Sequence, residues 1–125
     1  MSAYMASLLL AMMVCLEAAG EPFQGQVGVA YVAVNRSEQW GQPLTQVIMA
    51  PNQFGGWRQA QRLERLDPRT WVSCQRAAQA AMSRMRPDPT FGAVHVLSEQ
   101  DLRHPPPWVR HMRITTKIGR QTFFK

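Results

Sequence analysis

One acidic side chain stands inside an otherwise apolar stretch, and a chain with such a stretch has few ways to fold. Leu9 to Gly25 reads LLAMMVCLEAAGEPFQG, and Glu17 interrupts the run. Apolar residues fall on nearly every face of the helix this predicts, the pattern of a buried rather than a surface helix. A carboxylate there is costly unless it is paired, neutralised or brought to a surface. The rest of the chain is therefore expected to bury this helix and leave its carboxyl group at a cleft. Ser2 to Leu16 also imitates the core of a signal peptide, but no Lys or Arg precedes it. It is also shorter than the roughly 20 residues of a membrane span. The reading is a core helix, with a cleaved leader as the alternative.

The order of elements follows from the chain's punctuation. Helix one runs from Ser2 or Tyr4 to Ala19, where Gly20 stops it. Pro22 suits a first helical turn, so a second helix begins there and runs through FQGQVGVAYVAVNRSEQ. Val27 to Val34 could form a buried strand, but the length from Pro22 to the polar exit at Asn35, Arg36 and Ser37 favours helix. Gly25 and Gly28 each cost roughly 1 kcal/mol against Ala in a helix. Close packing against helix one is the expected compensation. Gly41 to Gly56 reads as loop around a short helical turn at Leu44 to Met49, the place for a cleft-lining segment.

Asp67-Pro68 supplies an N-cap side chain followed by Pro at the first helical position, which starts a helix from Arg69 to Met85. Its apolar stripe is Trp71, Cys74, Ala78 and Ala81 or Met82; Arg69, Arg76 and Arg84 form a solvated basic face. Beyond Pro87 and Pro89, the pieces Ala93 to Leu97, Arg113 to Thr116 and Gln121 to Phe124 predict a small antiparallel sheet with a tight second hairpin. The fold class is α+β: one mainly helical domain over residues 1–125 with a small antiparallel sheet in its C-terminal third.

Composition bears on partners. Fourteen Lys and Arg against eight Asp and Glu give a net charge of +6, which favours an anionic partner such as an envelope polymer, a membrane surface or nucleic acid. Cys15 and Cys74 are the only cysteines and match neither a disulfide framework nor a zinc site by spacing. Buried free thiols are the reading, with a single bridge as the alternative. His95, His104 and His111 fall into no familiar ligand spacing, so no metal and no cofactor is expected.

Glu17 falls in the last turn of helix one. The negative end of the helix dipole and the neighbours Cys15, Leu16 and Ala18 disfavour its ionised form there. That setting suits a general acid near neutral pH, with a structural glutamate as the alternative. Glu21 follows beyond Gly20. It would be either the second acid of a two-carboxylate glycosidase site or a structural charge favouring the start of helix two.

Leu16 to Arg36, LEAAGEPFQGQVGVAYVAVNR, resembles the signature segment of the cell wall hydrolases typified by the spore cortex-lytic enzymes. The shared pattern is a Glu, a short turn, Glu-Pro, Gly-Gln-Val and an Asn-Arg helix end. Gln53-Phe54 after Val47-Ile48, Gly92-Ala93 with Trp108, and Thr-Thr-x-Ile-Gly-x-x-x-Phe from Thr115 to Phe123 agree in order. Three positions depart: Ala19 where the family commonly has Arg, Gly55 where it has a small polar residue, and Gln121 where it usually has His.

The resemblance implies a lysozyme-like domain acting on peptidoglycan glycan strands at the β-1,4 bond between N-acetylmuramic acid and N-acetylglucosamine. It implies a lytic transglycosylase in which Glu17 is acid and then base. A hydrolytic muramidase using water and a second acid, Glu21 or Asp101, is the alternative; a zinc amidase lacks its ligand set. A basic nucleic-acid-binding module is the non-enzymatic rival, without a recognised motif to support it. Gln53, Phe54 and Trp57 are candidate sugar contacts, since aromatic faces pack on pyranose rings and an amide both donates and accepts. Closing the core is the competing role for the two aromatics. Thr115 and Thr116 would bond substrate hydroxyl or acetamido groups, or serve as ordinary strand residues. The basic surface fits a monomer that holds itself on anionic envelope polymers, with no specific nucleic acid, no transmembrane segment and no separate wall-binding module. The expected setting is a phage endolysin made in the host cytoplasm and acting on the host wall, ahead of a bacterial periplasmic or envelope enzyme.

Overall fold

Helices come first in the chain and a sheet closes it. The computed structural model describes residues 2–50 and 55–125, with the side chains of residues 55–59 outside the description. Helix α1 spans Ala3–Ala18, and its N-cap Ser2 accepts a hydrogen bond from the Met5 amide at 3.2 Å. Leu10, Ala11, Met13, Val14, Cys15 and Ala18 are buried on several of its faces, as expected for a core helix. Helix α2 spans Phe23–Trp40 and ends at Gly41, whose φ of +63° is the left-handed conformation that glycine adopts without strain. Val27 to Val34 are all buried in it, so the strand reading is excluded. Helix α3 is Leu44–Met49, and a 3-10 helix, Gly55–Arg65, precedes α4, Pro68–Ser83. Asp67 caps α4 by accepting from the Arg69 amide at 3.3 Å, with Pro68 at the first turn. The sequence gives no clear signal for the 3-10 helix. Helices α1, α2 and α4 pack against one another and form the core.

Two expectations change. Cys15 and Cys74 are bonded as a disulfide, with Cα atoms 5.7 Å apart, rather than buried as free thiols. The stripe of α4 that carries Cys74 faces the buried face of α1 that carries Cys15, which puts the two Cβ atoms within bridging reach. Gly28 is compensated by close packing, but not against α1. A Cβ on it would lie 2.9 Å from the Phe123 ring and 2.9 Å from the Thr90 methyl group. The missing side chain thus lets the sheet and the turn before it approach α2.

Strands β1 (His95–Ser98), β2 (Ile114–Ile118) and β3 (Gln121–Phe124) form an antiparallel sheet in the order β1-β3-β2. The last strand is central, and all four of its residues are buried. The pairing slips between Ile114 and Thr116, so Thr115 is the extra residue of a bulge, and its hydroxyl donates to the Phe123 carbonyl at 3.3 Å. Asn35 and Arg36 at the far end of α2 fix the approach to β1. The Asn35 amide donates to Asp88 and to the Ala93 carbonyl, both at 2.9 Å, and Arg36 Nε donates to the Val94 carbonyl at 2.6 Å. Asp88 in turn accepts from the Thr90 and Gly92 amides at 2.8 and 2.9 Å.

Two stability predictions follow from these contacts. Gly28→Ala should lower stability by about 1–3 kcal/mol, because the buried Phe123 ring has nowhere to move and overpacking outweighs the gain in helix propensity. Urea unfolding of the variant checks this. The disulfide closes a separation of 59 residues. Chain entropy then assigns it about 4 kcal/mol, so reductant should lower the urea midpoint of the wild type and leave that of a Cys15→Ala/Cys74→Ala variant unchanged.

Candidate active site

A cleft of about 1100 Å³ opens where the end of α1 meets β1, the turn after it and the β2–β3 hairpin. Glu17 lies on its wall in the last turn of α1, half-buried, together with Cys15 and Ala18. The helix end is held by side chains from two other elements. Gln26 of α2 donates through Nε2 to the Ala18 and Ala19 carbonyls at 3.2 and 3.4 Å. Gln121 of β3 donates through Nε2 to the Glu17 carbonyl at 3.0 Å. These bonds satisfy carbonyls that have no partner inside the helix, and they fix the main chain from which the Glu17 carboxyl group projects.

Gln121 is nearly fully buried, and its Oε1 accepts no hydrogen bond among the described residues. A neutral amide has no proton to exchange near neutral pH. Its place at the site is to position Glu17 through the backbone.

Arg36 also lines the cleft, and the sequence reading did not foresee it. It is 3% exposed; its Nη2 donates to His95 Nδ1 at 3.1 Å. Burial pushes its guanidinium down to about 10, and the Glu17 carboxylate acts in the opposite direction. Arg36 is therefore still a cation at neutral pH, attracted to Glu17. The surroundings of Glu17 are not wholly apolar, as the sequence suggested: a buried positive charge favours the charged pair. The signal was present in the sequence, because Arg36 falls seven residues after Val29 and three after Ala33, on the buried face of α2.

The other cleft carboxylates have structural partners. Glu21 accepts from the Arg120 amide at 2.8 Å and pairs with Arg120 Nε at 3.3 Å, its side chain only 9% exposed. Asp101 accepts from the Ser98 amide at 3.1 Å while its own amide donates to Ser98 Oγ at 3.0 Å, a closed local turn. Glu99 pairs with Lys117 at 3.2 Å. Of the remaining sequence candidates, Thr115 and Thr116 lie on β2 and do not line the cleft. Gln53 and Phe54 lie outside the described residues, as does the side chain of Trp57 in the 3-10 helix. Among the described residues no cluster of His, Cys, Asp and Glu could hold a metal ion, and no helix is long and apolar enough to cross a membrane.

His95 offers a check on this geometry. Arg36 can only donate, so His95 Nδ1 is the acceptor and the ring proton sits on Nε2. The ring stacks on Trp108 with centroids 4.4 Å apart. Burial, and then the charge of Arg36, push the imidazole down from 6.5 to about 4. The unfolded chain takes up this proton at the higher pH, so the stability His95 contributes is complete above pH 6.5 and falls as the pH drops towards 4. The thermal midpoint should fall across that window, and His95→Gln should flatten part of the fall. Ring titration by NMR near the ordinary histidine value would contradict the burial argument.

The sequence profile described as Cell Wall Hydrolase matches residues 20–124, beginning just after Glu17. Two solved structures are similar over nearly their whole lengths. The catalytic domain of the Bacillus cereus SleB protein is 28% identical with a TM-score of 0.81, covering 100% of this chain and 93% of that one. The catalytic domain of the germination-specific lytic transglycosylase SleB from Bacillus anthracis is 26% identical with a TM-score of 0.77, covering 96% and 93%. No curated protein sequence gives a significant match. With the profile spanning all but the first helix and the last residue, the chain belongs to the cell wall hydrolase family.

Proposed function

We propose that this cell wall hydrolase is a peptidoglycan lytic transglycosylase that cuts the β-1,4 bond between N-acetylmuramic acid and N-acetylglucosamine with Glu17 as its acid and base. The observation that carries this reading is the cleft itself. Glu17 stands at a fixed helix end on its wall; Glu21 is held by Arg120, Asp101 closes a local turn with Ser98, and Glu99 is in an exposed pair with Lys117. A reaction that needs one carboxyl group fits such a site better than one that needs two.

Protonated Glu17 gives its proton to the glycosidic oxygen as the bond from that oxygen to C1 of the muramic acid breaks and C1 takes on oxocarbenium character. The resulting carboxylate then removes the proton from the 6-hydroxyl, whose oxygen bonds to C1. The product is a 1,6-anhydro ring, and Glu17 regains its proton for the next turnover. Arg36 supports the first half of the cycle, because its positive charge stabilises the carboxylate that proton donation leaves behind. The resemblance to a lytic transglycosylase supports transfer over hydrolysis.

In this reading residues 1–125 act as one catalytic domain on the cell wall, held there by attraction between the +6 chain and anionic envelope polymers. A phage endolysin acting on its host's wall is the setting we favour, with a bacterial envelope enzyme as the other.

Glu17→Gln should lower release of muropeptides from purified walls by about a hundredfold to ten-thousandfold, the usual range for a lost acid-base group, with the circular dichroism spectrum still that of the folded protein. Mass spectrometry of the wild-type products should find anhydro-muropeptides. Reducing ends would replace transfer by hydrolysis, and an active Glu17→Gln protein would remove the mechanism altogether.

A further inference from the structure

The catalytic cleft brings charges of both signs together, with Arg36, Arg62, Arg103 and Arg120 on its wall beside the acids. Four of the eight Asp and Glu residues line the cleft. A second groove of about 550 Å³, sharing no residue with the first, has Arg69, Arg76 and Arg86 on its walls and no carboxylate among its lining residues. The nearest acid in sequence, Asp67, is occupied in capping α4. Among the described residues, none of the three arginines is in an ion pair, whereas Arg84 nearby is paired with Glu38.

The arrangement is elongated. Arg69, Val72 and Arg76 recur at helical spacing on one face of α4, so the two guanidinium groups start about 10 Å apart along the helix axis. Val72, 42% exposed, and Phe23 give the groove an apolar floor between them. The Arg86 guanidinium lies 4.9 Å over the Phe23 ring. Three cations strung along an open groove do not converge on a single anion. They suit a chain that carries negative charge at intervals, with carbon between the charges to lie on the floor. A guanidinium takes a phosphate through two parallel hydrogen bonds, and its planar fork makes it the side chain best matched to that group.

We infer that this groove is a tethering site for a phosphodiester-linked polyanion of the cell envelope, separate from the glycan cleft. The inference rests on the proposed action at the cell wall, and it gives the basic surface a defined location. The groove is also connected to the catalytic helix. Ser73 on its wall donates to Gln26 Oε1 at 2.5 Å, and Gln26 holds the Ala18 and Ala19 carbonyls beside Glu17.

The test is binding of a labelled glycerol phosphate oligomer, followed by fluorescence anisotropy over a series of salt concentrations. Wild type should bind in a salt-dependent manner, and Arg69→Gln/Arg76→Gln/Arg86→Gln should bind at least about tenfold more weakly with a shallower salt slope. Arg69→Gln/Arg76→Gln, which leaves the Arg86–Phe23 contact in place, should show most of the loss at an unchanged thermal midpoint. Undiminished binding by either variant overturns the proposal. So does tighter binding of duplex DNA or of anionic phospholipid vesicles that depends on the same arginines. A soluble, phosphate-free glycan oligomer separates the two readings. If wild type fails to cut it, the catalytic proposal falls while the polymer measurement stands.

Discussion

A helix that ends inside a protein leaves its last carbonyls without partners along the helix. In α1 the carbonyls of Glu17, Ala18 and Ala19 are taken by the side-chain amides of Gln26 and Gln121, one from the next helix and one from the last strand. Much else in the fold serves to bring those two amides to the same place. Gly28 lets β3 approach α2 closely enough for Gln121 to reach the helix end, and the disulfide holds α1 against α4 two residues before Glu17. The position of the candidate acid is thus a result of tertiary packing from both halves of the chain, although its identity is written in a single helix.

The same junction explains why a charged residue is tolerated on the buried face of α2. Arg36 would be costly in the core without partners. It has the Val94 carbonyl, the His95 ring and the attraction of Glu17. The Asn-Arg end of α2 therefore does two things at once: Asn35 and Arg36 bind the segment that leads into β1, and Arg36 places a positive charge at the cleft. Sheet position and site electrostatics are set by adjacent residues of one helical turn.

How much of this could be read from the sequence depends on the range of the interaction. The helices were legible because their signals are local: the Asp67-Pro68 start, the Gly20 stop and the buried run before Glu17. Glu17 itself stood out because an isolated carboxylate in an apolar helix demands an explanation. Arg36 gave the same kind of signal on α2, hidden by its place beside polar neighbours at what looked like a helix exit. The Cys15–Cys74 bond and the Glu21–Arg120 contact were not legible, since they join residues 59 and 99 positions apart and depend on how helices and hairpin dock. The limits of the first two strands moved by one or two residues, because pairing, including the bulge at Thr115, is decided across strands, while the third lies where expected, at Gln121–Phe124.

The contact between Glu21 and the β2–β3 hairpin distributes constraint unevenly along the chain. One carboxylate oxygen accepts from the backbone amide of residue 120, and that amide is supplied by every residue type except proline. The Arg120 side chain, 68% exposed, adds a screened ion pair on top of it. Position 119 has no such latitude: its φ is +58°, and a Cβ there would lie 2.5 Å from the Glu21 carboxylate and 2.9 Å from the Pro22 ring. Natural variation should therefore pass freely through residue 120 and stop at its neighbour, so the hairpin tip would show a glycine that persists beside a position that drifts.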